Sequence, residues 1–582
     1  MLDMRLTRRG FVGAAAVCAT GALAACGAEQ GADTAQTETT EETPAEETAG
    51  AEAAEGVVET AYGPVQGVVA DGVGTWYAVP YGKNPTGDLR WQAPQAPDAW
   101  DEPLDCTEAG EMALQLVDGE AKGTEDILNL DIYAPEGAEG LPVLVFIHGG
   151  NNQTGNAQEI PGTELCVKDE CVYVSLSFRL GVLGFMPLPA ITAASDGTGN
   201  YAMLDIALAL DWIRDNIAAF GGDPANVTVS GFSAGGRDVM AMLISPMFAG
   251  KFDKAIAFSG GMTTAEVDPS CEKFAAALAP LAVEDGKAAD EGEAIKWLMG
   301  TDDEVRDYLM GIGAERLAPL MGNAGIRMSV FPHLFVDGSV LPSDFKDATY
   351  TSVPLIMLTG ATEFSFFCLF DAFFSSDAVA DLSEEEIEAA KAFANKYGSD
   401  MYRIFNAQDS AETMADSYDA DIYVCQVNYG SEESAMAADL VPFGAFHGIF
   451  VPMLSTQNNY AAMMEGVFDK DGYKDMAEKF NAYLKAFLAS PDGKMEVDGQ
   501  EEWSAWTPDN KVSLVLDGDE SAAIVEVKDV SSSYDDVIAA MKADDTCSDE
   551  VKTLVEHNVT NGRWFSAAQD AAFGAPDLWA TK

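Results

Sequence analysis

Basic residues are scarce in this sequence. Lys and Arg together number 33 against 95 Asp and Glu, which gives a formal net charge of −62. A chain this acidic repels polyanions, so binding to nucleic acid or directly to an anionic lipid surface is disfavoured. Residues 57–582 carry −55 of this charge, so the acidity belongs to the expected folded body. We interpret it as a solubility or salt adaptation, with steering of cationic substrates as the alternative.

The sequence also lacks an apolar run long enough to span a bilayer, which takes about 20 residues. Its one marked N-terminal run, residues 11–25, is shorter and follows Arg8 and Arg9. This pattern predicts a cleaved signal peptide over residues 1–26, similar to a twin-arginine export signal. Leu23-Ala24-Ala25-Cys26 resembles a bacterial lipoprotein cleavage box, so Cys26 is the predicted lipidated residue. An ordinary cleaved signal is the alternative.

Residues 27–56 are composed mainly of Glu, Thr, Ala and Gly, with nine acids, no base and no aromatic residue. Such a segment cannot bury enough apolar area to offset its chain entropy, so we predict a disordered tether. Residues 57–582 show no linker-like composition and are predicted to form a single catalytic domain. We therefore expect an exported protein held at the outer face of the bacterial cytoplasmic membrane by its lipid alone.

Cysteines are few and unevenly placed. Nine are present, and seven remain once Cys18 and Cys26 are set aside, so at least one thiol is unpaired in a monomer. Cys166 and Cys171 are close enough in sequence to form a local disulfide. The chain has no CxxC pair and no Cys/His cluster, so we expect neither a metal site nor a cofactor.

Strands and helices alternate over residues 141–243. The apolar segments 143–147, 172–176 and 227–229 have strand length and contain many β-branched residues. Before the third segment, apolar residues recur at spacings of three and four, as on one face of a helix: Ile206, Leu210, Ile213, Ile217 and Phe220. Alternation of this kind predicts an α/β protein, with a mostly parallel twisted sheet, helices on both faces and large loop or helical insertions.

Gly231-Phe232-Ser233-Ala234-Gly235 is a G-x-S-x-G motif. An apolar strand precedes it and a helix-forming stretch, residues 237–243, follows it. In that context the serine lies on a tight strand-to-helix turn that lifts its hydroxyl above the sheet. The motif therefore predicts the α/β-hydrolase fold with Ser233 as the nucleophile. Outside that context the same residues would be an ordinary Gly/Ser turn.

A serine hydroxyl becomes nucleophilic when a base takes its proton, and histidine is the usual base near neutral pH. The chain has four histidines. In this fold the catalytic order is nucleophile, acid, histidine, so His148 and His333 come too early. His557 lies in a charged, helix-forming stretch. His447 is flanked by Gly444 and Gly448 in a loop, and we predict that it is the base.

Glu363 is the predicted third member of the triad, the acid that orients the imidazole. It directly follows an apolar strand, residues 353–358, and α/β sites place functional groups at such strand ends. Asp337, in a turn sequence, and Asp371, with no strand before it, are the alternatives.

An oxyanion hole needs backbone N–H groups aimed at the developing negative charge. His148-Gly149-Gly150-Asn151 follows a strand and precedes the nucleophile, as an HGGG-type loop does. We predict that Gly150, Asn151 and Ala234 supply the donors. A simple glycine turn is the alternative.

Taken together, these segments resemble the type-B carboxylesterase family, which includes cholinesterases and bacterial esterases. The resemblance extends over about residues 62–508, and its further motifs are Gly87-Asp-Leu-Arg90-Trp91, Glu125-Asp126-Ile127-Leu128-Asn129-Leu130, Phe178-Arg179-Leu180-Gly181-Val-Leu-Gly184-Phe185 and the series from Gly199 to Pro224. It implies that Arg90–Glu125 and Arg179–Asp205 are structural ion pairs.

The sequence departs from the family pattern at informative positions. Phe232 replaces the glutamate that precedes the family's serine, and Phe450 replaces a second glutamate three residues after its histidine. Since an isolated buried carboxylate is costly, we expect the two Phe residues to form a packed pair beside the triad. Asn151 replaces a glycine, and asparagine tolerates a left-handed backbone better than most residues. Ile127 replaces a cysteine, so Cys106 has lost the disulfide partner that the resemblance implies.

The resemblance implies a serine hydrolase that cleaves small-molecule carboxylic esters through an acyl-enzyme. An amidase, a carbamate hydrolase or a lipase would use the same residues. Some family members lack the triad and serve as adhesion or binding proteins. The presence of Ser233, Glu363 and His447 favours the hydrolase, and nothing in the sequence specifies an oligomeric state.

Overall fold

The computed structural model describes residues 56–195, 197–464, 466–575 and 578. The predicted signal peptide, Cys26 and nearly all of the tether lie outside these residues. The strands of the described part are β1 Val57–Glu59, β2 Pro64–Gln66, β3 Val68–Ala70, β4 Val73–Pro80, β5 Leu104–Asp105, β6 Gln115–Val117, β7 Glu120–Lys122, β8 Asn129–Pro135, β9 Leu141–Ile147, β10 Val172–Leu176, β11 Gly222–Phe232, β12 Lys254–Phe258, β13 Leu355–Gly360, β14 Ile422–Val427, β15 Val512–Gly518 and β16 Ala523–Asp529.

A large mixed sheet organises the molecule. Its strand order is β16-β15-β14-β13-β12-β11-β9-β10-β8-β4-β3. The strands from β10 to β15 in this order pair in parallel, while β16 and the β8-β4-β3 end pair antiparallel. Two small units, β1-β2-β5 and the β6-β7 hairpin, complete the strands described. This is the mostly parallel sheet that the sequence predicts.

Both faces of the sheet are buried, as parallel strands require. In β9, Val143, Val145 and Ile147 belong to one apolar cluster, and the alternate residues Leu144 and Phe146 belong to another. Since successive side chains of a strand point to opposite faces, each cluster covers one side of the sheet.

Helices cover these faces and form the insertions. Those of eight or more residues are Tyr201–Asn216, Ala234–Ile244, Val267–Glu284, Glu291–Leu298, Asp303–Gly311, Glu384–Arg403, Asp471–Ala489, Tyr534–Ala543 and Asp549–Asn558. The shorter ones are Gly162–Lys168, Gly181–Gly184, Pro189–Thr192, Ala314–Leu317, Ser365–Leu369, Asp409–Met414, Val451–Leu454, Asn459–Met463 and Ala567–Ala572. Among the described residues, none of the helices is long and apolar enough to cross a membrane.

The strand before the nucleophile is longer than the sequence predicts. We expected residues 227–229, but β11 begins at Gly222. Gly221 ends the preceding 3₁₀ turn with φ +87°, and a Cβ there would lie 2.3 Å from the Ala138 carbonyl oxygen. The strand register then shifts between Gly222 and Val227. This irregularity, which periodicity does not reveal, explains the missed start of the strand.

Both ion pairs implied by the family resemblance are present. Arg179 contacts Asp205 at 2.6 Å, and both side chains are buried. Arg90 contacts Glu125 at 2.8 Å and also donates to the Ile312 carbonyl oxygen at 2.6 Å. These pairs connect separate chain segments, so they serve the fold and not the chemistry.

The local disulfide that the sequence allowed is not formed. Cys166 and Cys171 are both free thiols. The Cys166 thiol faces back to the Thr163 carbonyl oxygen at 3.6 Å, within its own helix. The Cys166 thiol is therefore directed towards its own helix backbone and not towards Cys171.

A third apolar cluster lies outside the two sheet faces. It joins the helix Glu384–Arg403 to the C-terminal helices and to the chain around Phe364. Tyr402, Trp564 and Phe565 belong to it. Through this cluster, the C-terminal residues Trp564 and Phe565 pack near the loop that follows β13.

Candidate active site

Ser233 lies on a strained turn between β11 and the helix Ala234–Ile244. Its backbone has φ +57° and ψ −115°, a region that costs a non-glycine residue about 1–3 kcal/mol. The flanking glycines permit this turn, because a Cβ on Gly231 would lie 2.2 Å from the Gly235 carbonyl oxygen and one on Gly235 would lie 2.1 Å from that of Ile147. The turn is thus held by close backbone contacts, as expected for a serine raised above a sheet.

Glu363 follows β13 and is fully buried. Its Oε1 atom accepts hydrogen bonds from the Ser259 hydroxyl at 2.6 Å and the Thr359 hydroxyl at 3.2 Å, and also from the Gly360 N–H. The other oxygen, Oε2, is left for His447. A carboxylate with this many donors is fixed in position before any substrate binds.

His447 contacts Glu363 directly, from its Nδ1 atom to Oε2. This contact places the ring proton on Nδ1 and leaves Nε2 with its lone pair, the tautomer that a general base requires. Within the described part of the chain, Nε2 is buried and has no hydrogen-bond partner. The imidazole is therefore oriented and free to accept a proton.

Of the three predicted triad residues, Glu363 and His447 are in direct contact, and Ser233 lies next to them without a hydrogen bond to either among the described residues. The ring of Phe232, which precedes Ser233, lies 4.8 Å from the His447 ring. A Ser233–His447 hydrogen bond is not among the contacts of the described residues. Such bonds often tighten only when substrate is bound.

The predicted oxyanion loop has the backbone it needs. Gly150 and Asn151 have φ of +100° and +59°. In the part of the chain that the structure describes, the backbone N–H groups of Gly150, Asn151 and Ala234 have no acceptor. The asparagine thus accommodates the left-handed backbone at the position where the family has glycine.

Glu159 fixes the backbone of this loop, a role that no sequence motif indicates. Its carboxylate accepts the Gly149 N–H at 2.7 Å. Burial raises the pKa of Glu159 to about 7, although this hydrogen bond favours the charged form. A carboxylate ten residues down the chain therefore fixes the backbone next to the predicted oxyanion donors.

The two alternative acids have structural partners. Asp371 pairs with Arg327 at 3.1 Å and with Arg563. Asp337 accepts from the Asn200 amide at 2.9 Å and from turn N–H groups of its own loop. Among the residues that the structure describes, neither carboxylate has a histidine partner.

The other histidines are also engaged elsewhere. His148 stacks on Phe178 at 4.7 Å, and burial lowers its pKa to about 4. His333 lies 2.9 Å from an Arg237 nitrogen, and burial lowers its pKa well below the usual value. His557 contacts the Phe573 carbonyl oxygen at the protein surface.

Phe232 and Phe450 lie together where the family has two glutamates. Their ring centroids are 5.1 Å apart, edge to face, and Phe450 also stacks on Phe258 at 4.3 Å. Both are buried, at 3% and 0% exposure. The environment beside the triad is therefore apolar and aromatic.

A cavity of about 190 Å³ adjoins the oxyanion loop. Its lining includes Gly150 and Asn151 as well as apolar residues such as Leu116 and Leu180. Its size suits a small organic group. Among the residues that the structure describes, no cluster of three or more His, Cys, Asp or Glu could hold a metal ion.

Comparison with known proteins gives a consistent result. The model of the carboxylesterase family matches residues 54–398. Para-nitrobenzyl esterase of Bacillus subtilis is 39% identical over 241 residues, which is 40% of this chain and 49% of that protein. Human carboxylesterase 3 is 31% identical over 347 residues, 54% of this chain and 56% of that protein. The chain thus spans about half the length of these curated relatives.

Solved structures match over a longer range. A Geobacillus stearothermophilus carboxylesterase, EST55, is 26% identical with a TM-score of 0.64, covering 83% of this chain and 99% of that one. A PNB esterase is 25% identical with a TM-score of 0.59, covering 81% of this chain and 97% of that one. These similarities confirm the α/β-hydrolase fold expected from the sequence.

Proposed function

This chain belongs to the carboxylesterase family, and on that basis we propose that it hydrolyses carboxylic esters through an acyl-enzyme on Ser233. His447 is the general base and acid, and Glu363 orients its imidazole. The contact between Glu363 and His447, which leaves a bare Nε2 atom beside the strained serine, is the observation that carries the proposal. The esterases with similar sequence and structure support it.

The reaction follows from the geometry in two stages. Ser233 Oγ attacks the ester carbonyl carbon while its proton passes to His447 Nε2, and the carbonyl oxygen takes the negative charge. The unused N–H groups of Gly150, Asn151 and Ala234 are placed to stabilise that charge. The alcohol leaves with the proton from His447. Water then attacks the acyl-enzyme with His447 as base, which releases the acid and restores the serine.

Covalent labelling tests this proposal directly. A fluorophosphonate probe should label the protein, p-nitrophenyl acetate should be hydrolysed, and Ser233→Ala should abolish both. Asp371→Asn is the matched control, because Asp371 lies in an arginine pair and contacts no histidine. A protein that binds ligands without chemistry would take no label, and that result would refute the proposal.

An amidase or carbamate hydrolase would also be labelled, so the bond that is cleaved needs its own test. The ester, amide and carbamate of one acyl group and one aromatic leaving group should be compared by kcat/KM. We expect the ester to be cleaved at least about 100-fold faster than the amide, because its leaving oxygen needs less protonation in the transition state. Faster cleavage of the amide or the carbamate would change the assigned reaction.

We also propose that Cys26 is lipidated after export and anchors the enzyme to the outer face of the cytoplasmic membrane. The −55 charge of residues 57–582 disfavours direct adsorption to anionic lipid, so attachment would depend on the acyl chains. Cys26→Ser should move the protein from the membrane fraction to the soluble exported fraction while esterase activity is retained. A membrane-bound Cys26→Ser variant would contradict this anchor.

A further inference from the structure

Three buried polar atoms at the predicted triad and beside it lack hydrogen-bond partners among the described residues. In the described part of the chain, Tyr402 Oη, Trp564 Nε1 and His447 Nε2 are all buried and unpaired. They lie in one group, because the Tyr402 ring stacks on the His447 ring at 5.2 Å and lies 6.1 Å from the Trp564 ring. Buried polar atoms normally have partners, so a cluster of unpaired ones calls for an explanation.

The chemistry of these groups sets the direction in which they can be connected. An indole N–H can only donate, so Trp564 Nε1 can serve only an acceptor such as Tyr402 Oη. The Tyr402 proton is then available for another oxygen. Trp564 and Ser233 both lie close to the Tyr402 phenol: burial raises the pKa of that phenol, and these two neighbours lower it.

A single chain of hydrogen bonds would satisfy all of these atoms. Trp564 would donate to Tyr402, Tyr402 to Ser233, and Ser233 to His447 Nε2. Every donor in this hydrogen-bond series has an acceptor, and each of the three unpaired atoms gains a partner. The rings of His447 and Trp564 already lie 5.2 Å and 6.1 Å from the Tyr402 ring.

The buried guanidinium of Arg237 lies next to Trp564, the first donor of this hydrogen-bond series. The Arg237 guanidinium lies 4.1 Å from the centre of the Trp564 ring. It is fully buried and lies 2.9 Å from His333 Nε2, which is free to accept because the other ring nitrogen faces the Phe331 carbonyl oxygen. A positive charge over the indole face attracts its π electrons, which makes its N–H a stronger donor.

We propose that Tyr402 is a further catalytic residue, whose phenol donates a hydrogen bond to Ser233 Oγ as that oxygen attacks the substrate. Trp564 and Arg237 are positioning residues that act through Tyr402. The inference rests on the proposed function. The Ser233 proton still passes to His447, and Tyr402 keeps its own proton throughout.

This role affects the two stages of the reaction differently. During acylation Ser233 Oγ gains negative charge while it loses its proton, and a donor aimed at it lowers that barrier. During deacylation the attacking atom is a water oxygen, and Ser233 Oγ gains charge only after the attack. A residue that merely packed against His447 would affect both stages equally, because both use the same imidazole.

The test measures the two stages separately in Tyr402→Phe, which removes only the hydroxyl and keeps the stacked ring. With p-nitrophenyl acetate, the rate of the initial burst reports acylation and the later steady rate reports deacylation. We expect acylation, and labelling by a fluorophosphonate, to slow about tenfold, which is less than the loss of a full oxyanion donor. Deacylation should change less than about twofold, because its attacking atom is a water oxygen and not Ser233 Oγ.

Tyr397→Phe is the matched control. Tyr397 lies on the same helix and donates to Asp544 at 2.7 Å, away from the triad. The same chemical change there should leave both rates unaltered. Trp564→Phe should slow acylation less than Tyr402→Phe, and the double variant should be no slower than Tyr402→Phe alone, because Trp564 acts through Tyr402.

The outcomes divide cleanly. Selective slowing of acylation in Tyr402→Phe supports the inference. Equal changes in acylation and deacylation, including no change in either, would overturn it while leaving the proposed function intact. A wild-type protein that shows neither a burst nor labelling would overturn the proposed function itself.

Discussion

Phe232→Glu restores the residue that the family carries before its serine, and we expect it to damage this enzyme. Phe232 is 3% exposed, and its ring lies 5.1 Å from that of Phe450 and 4.8 Å from that of His447. The introduced carboxyl would therefore enter a site formed by aromatic rings. The Phe450 ring occupies the position of the second family glutamate, so the usual polar neighbour is missing.

The expected magnitude combines two losses. Removing a buried phenylalanine ring costs about 3–5 kcal/mol when alanine replaces it, and the glutamate methylenes recover part of this. Burying a polar group without a partner costs about 1–3 kcal/mol more. We expect the free energy of unfolding to fall by about 3–6 kcal/mol, a large part of the 5–15 kcal/mol typical of a folded protein. Urea denaturation at pH 7 measures this change.

The pH dependence gives an independent check. Burial should raise the pKa of the new carboxyl in the folded state above its unfolded value, so the folded state binds the extra proton. The stability deficit of Phe232→Glu should therefore be smaller near pH 5 and should grow as the pH rises. Phe232→Leu is the control, because it keeps an apolar side chain and should cost less and show no such trend. A fully active Phe232→Glu variant within about 0.5 kcal/mol of wild type at pH 8 would refute the reasoning.

Three further substitutions test other parts of the site. Glu363→Gln should lower kcat by about 10⁴-fold with little change in KM, because the amide favours the wrong imidazole tautomer; an unchanged kcat would exclude this residue as the acid. Asp371→Asn should instead lower the free energy of unfolding by about 3–5 kcal/mol in a urea melt and leave kcat within about twofold, since it breaks a buried ion pair away from His447. Because burial raises the pKa of Glu159 from 4.5 to about 7, its charge costs the wild type stability as the pH rises through that interval. Glu159→Gln, whose amide oxygen can still accept the Gly149 N–H, should reduce that loss between pH 5 and pH 8 in thermal melts, and an identical profile in both proteins would contradict the assignment.

Local sequence pattern predicted the elements whose bounds depend on local interactions. The segment 172–176 coincides with β10. The helix Glu384–Arg403 likewise begins at a local capping box: the Ser383 hydroxyl accepts the Glu386 N–H while the Glu386 carboxylate accepts the Ser383 N–H. Such features depend on neighbours within a few residues, which the sequence displays directly.

The same helix shows where local pattern fails. A glycine often marks the end of a helix, but this helix continues past Gly398 to Arg403. A Cβ at position 398 would lie 2.2 Å from a ring carbon of Phe364, so this glycine serves a close tertiary contact and does not end the helix. A contact of this kind between distant segments leaves no periodic pattern in the sequence.

The residues of the candidate site also fall into two groups, those that the sequence could predict and those that it could not. Ser233 could be predicted because its motif and flanking elements are contiguous, and His447 and Glu363 because the fold imposes an order on them. Tyr402 and Trp564 could not, since aromatic residues at helical spacing or near a terminus are typical of ordinary core packing. Only the tertiary fold brings Tyr402 against the His447 ring and Trp564 against Tyr402.

The length of the Glu363 side chain has a consequence for which acids could replace it. One carboxylate oxygen is bound at the end of β13 by Ser259, Thr359 and the Gly360 amide, and the other must reach the imidazole. Aspartate, shorter by one methylene, could keep the strand-end bonds or the histidine contact but not both without a backbone shift. The spacing between a strand terminus and a distant loop thus selects between two residues of identical charge.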